Sequence, residues 1–231
     1  NVAVQKETLA SKLNVSSDSK IINKRYSLNV DSEGNELSDQ QQEYFKDSKV
    51  RDKNGNLMVM YHGTPYGDFT VFKNELNYFT PNKKYGDRYQ NPSASSVRGY
   101  YKEATNPKTY AVYLNIQKPF DISNKETMDI FVNEYVKGGY AAGINPYISE
   151  REIREQVKNG IDWTEADNLK EFIEDMEYDY DGLVLDEGAD GGYGDDVHTR
   201  GKSYVTFNPN QVKNIDNRKP TGDKDIRYSL N

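Results

Sequence analysis

The sequence predicts an α+β domain. Short segments show the apolar alternation of β-strands, and longer charged segments carry apolar residues at helical spacing. Thr109–Ile116 is the clearest strand, and residues 165–177 show helical spacing. Ten of the 19 tyrosines lie between Tyr44 and Tyr113, which indicates where a folded, aromatic-rich region must be. Strands with helices inserted between them are typical of the α+β class.

The chain divides into three predicted parts: a flexible linker over 1–37, a domain over 38–218 and a C-terminal tail over 219–231. The linker is predicted from its polar runs. Ser38, followed three residues later by Gln41, has the pattern of a capping box. A helix is therefore expected from this point through Phe45, and the domain begins with it.

The elements that follow are predicted from periodicity and turn residues. Lys49–Asp52 and Leu57–His62 are predicted to be strands, joined by a hairpin turn at Asn54-Gly55. Further strands are expected over 78–80, Thr109–Ile116, 182–185 and 204–207. Helices are expected over 81–89, 125–136, 150–158 and 165–177.

Composition excludes several classes of protein. There is no cysteine, so disulfides, cysteine-ligated metals and cysteine nucleophiles are absent. His62 and His198 are the only histidines, neither is set in a metal-ligand pair, and we expect no metal. No run of 18 apolar residues occurs, so we expect a soluble, intracellular protein that does not bind a membrane.

The net charge of −7 arises from one segment. Residues 150–196 contain 17 acidic and 4 basic residues. Solvated helix faces are the simpler explanation, and an acidic surface for a partner is the alternative.

One pentapeptide occurs twice. Arg25–Asn29 recurs as Arg227–Asn231, on either side of the predicted domain. We infer a module of a longer polyprotein in which such pentapeptides mark the joints.

The functional prediction comes from short motifs in a fixed order. They are Tyr61-His62-Gly63-Thr64, Tyr78-Phe79-Thr80, Tyr89, and the terminal stretch 204–212 with its Phe207-Asn208-Pro209-Asn210-Gln211. From about Phe45 to Asn231, the chain resembles the His-Tyr-Glu class of ADP-ribosyltransferases, which includes diphtheria-type toxins and the poly-ADP-ribose polymerases. It is more similar to the modules found in phage MuF-type head proteins and polyvalent proteins.

The resemblance implies the ADP-ribosyltransferase fold, a split antiparallel sheet with inserted helices, and NAD as the substrate. His62 would hydrogen-bond the adenosine ribose, and Thr64 would add a hydroxyl. Gly63 would offer its N–H and C=O to the nicotinamide amide, while Tyr78 and Tyr89 would stack on the nicotinamide ring. A structural role is the alternative for His62, and core packing is the alternative for both tyrosines.

At the third catalytic position, this chain departs from the pattern of the class. A glutamate precedes the corresponding strand in the related polymerases, and this chain has Ser203 there. Serine supplies no negative charge to stabilise an oxocarbenium ion. Gln211 is the first candidate to replace the glutamate, with a backbone cap after Pro209 as its alternative role. Ser203 is the second candidate, and Glu187 or Asp196 from a glycine-rich loop are the others.

By resemblance, the chain is a mono-ADP-ribosyltransferase that acts as a phage or prophage toxin or effector. It would modify a protein or nucleic-acid acceptor in the bacterial cytoplasm or from the phage particle, with an immunity protein as a further partner. Lys83, Lys84 and Arg88 would receive the NAD pyrophosphate. An NAD glycohydrolase is one alternative, and a catalytically silent NAD-binding module of a phage structural polyprotein is the other.

Overall fold

The computed structural model describes residues 29–91, 104–186 and 201–227. Several predicted features lie largely or wholly outside these ranges. They are the two pentapeptide copies, His198, and the glycine-rich loop with Glu187 and Asp196. Within the described ranges, no helix is both long enough and apolar enough to cross a membrane.

The described residues form short strands and helices. The strands are Met60–Thr64 (β1), Asn77–Phe79 (β2), Lys108–Leu114 (β3), Pro119–Phe120 (β4), Gly182–Asp186 (β5), Lys202–Thr206 (β6) and Val212–Asn214 (β7). The helices are Asp39–Tyr44 (α1), Lys83–Arg88 (α2), Lys125–Ile130 (α3), Glu150–Gln156 (α4) and Ala166–Asp175 (α5). A π-helical turn over Phe131–Val136 continues α3, and a 3₁₀ turn over Pro209–Gln211 leads into β7.

Two sheets organise these elements. One has the order β1-β3-β7 and is antiparallel throughout. The other has the order β2-β6-β5-β4 and is antiparallel except where β4 runs parallel to β5. Helices combined with antiparallel sheets confirm the α+β prediction. Strands β4 and β7 were not predicted, because two or three residues are too few to show an alternation.

Three apolar clusters hold the layers together. The largest packs α3–α5 on the second sheet, with Phe172 and Leu183 among its fully buried members. Another joins the two sheets and includes Val112 and Phe79. The third packs α1 on β1 and β3, with Phe45 at its centre. The order of layers is therefore α1, first sheet, second sheet and α3–α5.

The predicted start of α1 is confirmed. The Ser38 hydroxyl accepts a hydrogen bond from the Gln41 amide at 3.1 Å, and the Gln41 side chain accepts one from the Ser38 amide at 2.9 Å. The Gln41 side chain also donates to the carbonyl of Ile215 at 2.9 Å. The cap of a local helix therefore also attaches α1 to the chain that follows β7.

Two turns of the same Asp-x-x-Gly-Asn pattern precede β1. In each, the carboxylate of the aspartate, Asp31 or Asp52, accepts the amide hydrogens two and four residues later, and the glycine has a φ of 87°. The hairpin predicted at Asn54-Gly55 is thus a turn organised by a carboxylate. Its flanks pair only at Arg51 and Leu57, so Lys49–Asp52 does not form the predicted strand.

The first of these turns attaches part of the predicted linker to the domain. The Tyr113 hydroxyl donates to a carboxylate oxygen of Asp31 at 2.7 Å, and the Tyr61 hydroxyl donates to Glu33. Asp31 is 1 % exposed, and Leu37 is buried beside α1. Residues 31–37 pack on β1 and β3 because their acidic side chains satisfy two tyrosine hydroxyls on that face.

Part of the predicted tail is also packed. Ile226 is buried, and its amide donates to the carbonyl of Thr70 at 2.9 Å. The ammonium group of Lys213, itself buried, donates to the carbonyl of Asp223. Burial lowers the pKa of Lys213 to about 8, because the protonated form loses its hydration. Nearby Asp225 opposes this shift only in part.

We expect Asp31→Ala to cost more free energy of unfolding than Asp52→Ala, by about 1–3 kcal/mol. Both substitutions open the same kind of turn, but only the first removes the acceptor of the Tyr113 hydroxyl. Urea unfolding of both variants measures the difference. In a Tyr113→Phe background the excess cost should disappear, and an excess that persists there would contradict the assignment.

Candidate active site

The candidate active site lies where the two sheets separate. Tyr61 on β1 and Thr80, just after β2, exchange two backbone hydrogen bonds of 2.8 and 3.0 Å. Beyond this bridge, β1 continues beside β3 while β2 continues beside β6. The bridge is antiparallel, so Gly63 leaves it on one side of the opening and Tyr78 on the other.

His62 lies at the base of the opening with one defined tautomer. Its Nδ1 is 2.8 Å from the carbonyl oxygen of Tyr78. A carbonyl can only accept, so Nδ1 carries the hydrogen, and Nε2 of the neutral ring is left as an acceptor. Burial lowers the pKa of His62, although the bond to the Tyr78 carbonyl opposes this shift. The ring is therefore neutral at physiological pH.

Three phenylalanine rings fix the orientation of the imidazole. The ring centroids of Phe72, Phe79 and Phe69 lie 5.0, 5.5 and 6.4 Å from that of His62. Phe69 and Phe72 belong to a short apolar segment that forms no strand. The sequence did not identify these three residues as part of the site, because apolar side chains in a segment without periodicity give no functional signal.

Gly63 directs its backbone groups into the opening. Tyr61 spends its N–H and C=O on Thr80, on the side of β1 away from β3. Backbone groups of an antiparallel strand alternate between its two neighbours, so those of Gly63 point to the same side as those of Tyr61. On that side of β1, the N–H and C=O of Gly63 have no backbone partner among the described residues.

A second constraint on Gly63 comes from α2. A Cβ on Gly63 would lie 1.8 Å from the carbonyl oxygen of Gly86 and 3.1 Å from the Cβ of Tyr89. Gly86 is less crowded, because the nearest atom to a Cβ there would be the Cβ of Tyr61 at 3.1 Å. The two glycines let α2 rest directly on β1. This contact brings Tyr89, the residue that ends α2, beside Gly63.

Gly86 is a site residue that sequence reasoning missed. The available signal was a glycine in the middle of a predicted helix, which costs helix stability unless close packing requires it. The adjacent Tyr85 hydroxyl lies 2.9 Å from that of Tyr89, and the two rings meet edge to face at 5.5 Å. Tyr89 is thus oriented by its own helix.

Ser203 lies on the same side of the second sheet as Tyr78. Tyr78 pairs with Val205, so the register brings Ser203 opposite Thr80, one step beyond the end of β2. Side chains two residues apart on a strand share a face, and such diagonal neighbours are about 7 Å apart. Ser203 is 2 % exposed and pairs with Leu185 of β5 on its other side.

Gln211 does not join this group. Its side-chain oxygen accepts from the amides of Phe207 and Asn208 at 3.1 and 2.9 Å, and its nitrogen donates to the carbonyl of Asp181 at 2.8 Å. The following residue pairs with Leu114, on the edge of β3 opposite to β1. This arrangement corresponds to the backbone cap that the sequence left as the alternative for Gln211.

The register also separates Gln211 from His62. His62 pairs with Tyr110, which lies four residues before Leu114 along β3. Four residues correspond to about 13 Å, and the two strand spacings across β3 add about 10 Å in the other direction. The polar atoms of Gln211 therefore support the 3₁₀ turn before β7 and the start of β5.

The remaining predicted residues have local partners. The Thr64 hydroxyl accepts from the Tyr66 amide at 3.1 Å, which occupies it within its own turn. Lys83 forms an ion pair with Asp87 at 2.8 Å on the exposed side of α2, and Lys84 is exposed beside it. Among the residues that the structure describes, no group of three His, Cys, Asp or Glu could hold a metal ion.

Comparison with known proteins gives one match. The family described as ADP-Ribosyltransferase in polyvalent proteins matches residues 52–222.

The chain belongs to this family.

The match covers β1 to β7, and therefore the whole opening between the sheets. No curated protein and no solved structure matches the chain. Membership of the ADP-ribosyltransferase family indicates a transferase whose substrate is NAD. In this member, the His62 ring packs against Phe72 and Phe79 between the sheets. The Tyr78 side chain packs against the cluster that α3–α5 form on the second sheet, and Ser203 lies on that same face.

We expect Gly63→Ala to destabilise the fold by about 2–4 kcal/mol, because its methyl group would overlap a backbone oxygen that cannot move without α2. Gly201→Ala is the matched control, since nothing lies within 4 Å of a Cβ there. Urea unfolding measures both costs. Equal effects of the two substitutions would show that α2 does not rest on Gly63.

Proposed function

We propose that this chain is an NAD-dependent mono-ADP-ribosyltransferase. The observation that supports the proposal is the convergence of His62, Gly63 and Tyr78, with Tyr89 beside them, at the separation of the two sheets in a member of the ADP-ribosyltransferase family. The reaction breaks the bond between nicotinamide and ribose. Nicotinamide leaves, and the ADP-ribosyl group forms a bond through its ribose carbon to a nucleophile of an acceptor.

The backbone of Gly63 recognises the nicotinamide amide in this proposal. An amide carries one acceptor and one donor group, which match an N–H and a C=O that have no backbone partner among the described residues. Tyr78 and Tyr89 hold the ring between them by stacking. The stack restrains the leaving group while the bond to the ribose lengthens.

His62 binds the other end of NAD. A neutral imidazole with Nδ1–H committed to Tyr78 presents Nε2 as an acceptor, which suits a ribose hydroxyl. The imidazole then acts as a binding group, because its proton is held by a carbonyl and takes no part in the chemistry. Lys84 and the neighbouring basic side chains of α2 are near enough in sequence to Tyr89 to receive the pyrophosphate.

Ser203 occupies the third position in the proposal. Its hydroxyl bonds the 2′-hydroxyl of the nicotinamide-side ribose but brings no negative charge to the developing oxocarbenium ion. We therefore expect slow transfer compared with relatives that carry a carboxylate. The same observation favours a second candidate function, a catalytically silent NAD-binding module.

The biological setting is part of the proposal. Membership of a family found in polyvalent proteins supports a phage or mobile-element origin. We propose a toxin or effector that acts in a bacterial host on a protein or nucleic-acid acceptor, either from the cytoplasm or from the phage particle. An immunity protein would then protect the cell that makes it.

Incubation with NAD labelled in the adenylate, together with host lysate, tests the function. A transferase puts the label on macromolecules, a glycohydrolase releases labelled ADP-ribose, and a silent module does neither. We expect label on macromolecules. We also expect Tyr78→Ala and His62→Ala to weaken NAD binding about tenfold by calorimetry, since each removes one contact to the substrate.

Tyr147→Ala is the matched control for these binding measurements, because Tyr147 is 93 % exposed and remote in sequence from the site. Its affinity for NAD should equal that of the unchanged chain. Unchanged affinity in both the Tyr78 and the His62 variants would refute the site. Binding without turnover would establish the silent module.

Ser203→Glu should raise the rate of nicotinamide release at least about tenfold, because it places a negative charge where the oxocarbenium ion forms. Ser203→Gln introduces a side chain of nearly the same size as glutamate but without the charge, and it should give no such gain in rate. Nicotinamide release under single-turnover conditions measures the chemical step. An equal response of the two variants would mean that position 203 does not face the ribose.

A further inference from the structure

The exposed large apolar side chains of the described residues all lie in one layer. Tyr140 is 39 % exposed, Tyr147 is 93 % exposed and Met176 is 43 % exposed. All three lie on the helical side of the second sheet, in the loop before α4 or at the end of α5. Single exposed apolar residues are ordinary, so the contacts and charges around them decide whether they form a surface.

Two of these residues are linked to Phe172. The Tyr140 ring packs on Phe172 of α5, with centroids 5.0 Å apart. Met176 follows Phe172 by one helical turn, and its amide donates to the Phe172 carbonyl at 3.0 Å. Tyr140 and Met176 therefore extend the main apolar cluster outward to the solvent.

The loop that carries the tyrosines is braced from below. The buried carboxylate of Glu165 accepts from the amides of Ala142 and Gly143 at 3.1 and 2.8 Å. At its other end, the Lys137 ammonium donates to the carbonyl of Ile148 at 2.6 Å. A surface held in place before binding loses less conformational entropy when a partner arrives.

The charge around this surface is negative. Glu171, Asp175 and Glu177 are exposed and form no ion pair with another described residue. Glu174 pairs with Lys170, and the last turn of α5 contains no basic residue. Acidic side chains there lie at the negative end of the helix dipole, so the charges add to the backbone field.

We propose that Tyr140 and Met176 with the acidic end of α5 form a docking surface for a partner protein, through a segment of the partner that carries arginine or lysine around an apolar side chain. The apolar side chain contacts Met176. A guanidinium stacks on a tyrosine face and meets the carboxylates of Asp175 and Glu177. Nucleic acid and anionic lipid are repelled by the same charges.

The surface is independent of the proposed NAD site, because none of its residues takes part in the opening between the sheets. It also gives the acidity of this segment a use beyond solvation. Two exposed apolar side chains are too few for a permanent interface, which argues for a short segment as the occupant.

Binding of a fluorescent peptide with arginines around one leucine tests the proposal with the full chain. We expect saturable binding that weakens with salt, no binding of the same peptide with glutamate in place of arginine, and no binding of labelled single-stranded DNA to the chain. The double variant Asp175→Lys with Glu177→Lys should bind the peptide about tenfold more weakly. Glu75→Lys with Asp216→Lys, at two exposed sites elsewhere, makes the same change in net charge and should bind within twofold of the unchanged chain.

A second variant separates docking from folding. Glu177 has a φ of 53°, the left-handed region that favours glycine, and it closes the end of α5. Glu177→Gly should raise the melting temperature by about 2–4 °C and lower the affinity for the arginine peptide. The proposal is overturned if the arginine peptide does not bind, or if Met176→Ser and Tyr140→Ala leave its affinity unchanged. It is also overturned if Glu75→Lys with Asp216→Lys weakens binding as much as Asp175→Lys with Glu177→Lys.

Discussion

One pair of residues determines the geometry of this domain. The backbone bridge between Tyr61 and Thr80 joins the two sheets, and the opening begins at the next residue of each strand. If β1 and β2 paired over more residues, the backbone groups of Gly63 would form hydrogen bonds to β2. No connection would leave His62 and Tyr78 unrelated, whereas the bridge holds them close enough for a 2.8 Å bond. The single backbone bridge thus fixes the two sheets relative to each other and leaves the N–H and C=O of Gly63 without a backbone partner among the described residues.

The site combines strong positioning with weak electrostatics. Its imidazole is neutral, its glycine contributes only backbone dipoles, and its serine carries no charge. Binding energy in such a site comes from stacking and from well-aligned hydrogen bonds, which recognise the ground state as well as the transition state. Under the proposed function, the chain would therefore be better equipped to hold NAD than to accelerate its cleavage.

Local signals predicted much of the fold, and long-range register determined the rest. Ser38 and Gln41 predicted a capped helix because both partners lie within one turn. For Gln211, the resemblance to the mobile-element members of the class predicts a catalytic role. Its partners at Phe207 and Asn208 are local, but its bond to Asp181 depends on how β5 and β7 come together. The position of the Asn54-Gly55 turn was predicted correctly, but its type was not, because the carboxylate of Asp52 organises the turn.

The contact between Gly63 and Gly86 also bears on how the family can diversify. The position of α2 on β1 is set by main-chain atoms, so the two glycines are coupled and a substitution at one is tolerated only with a shift of the helix. The exposed side of the same helix, with Lys83 and Lys84, carries no part of that contact. Its side chains can therefore change without disturbing the contact between α2 and β1. In the proposed enzyme, a new acceptor could thus be acquired by surface changes alone, without moving Tyr89 away from Gly63.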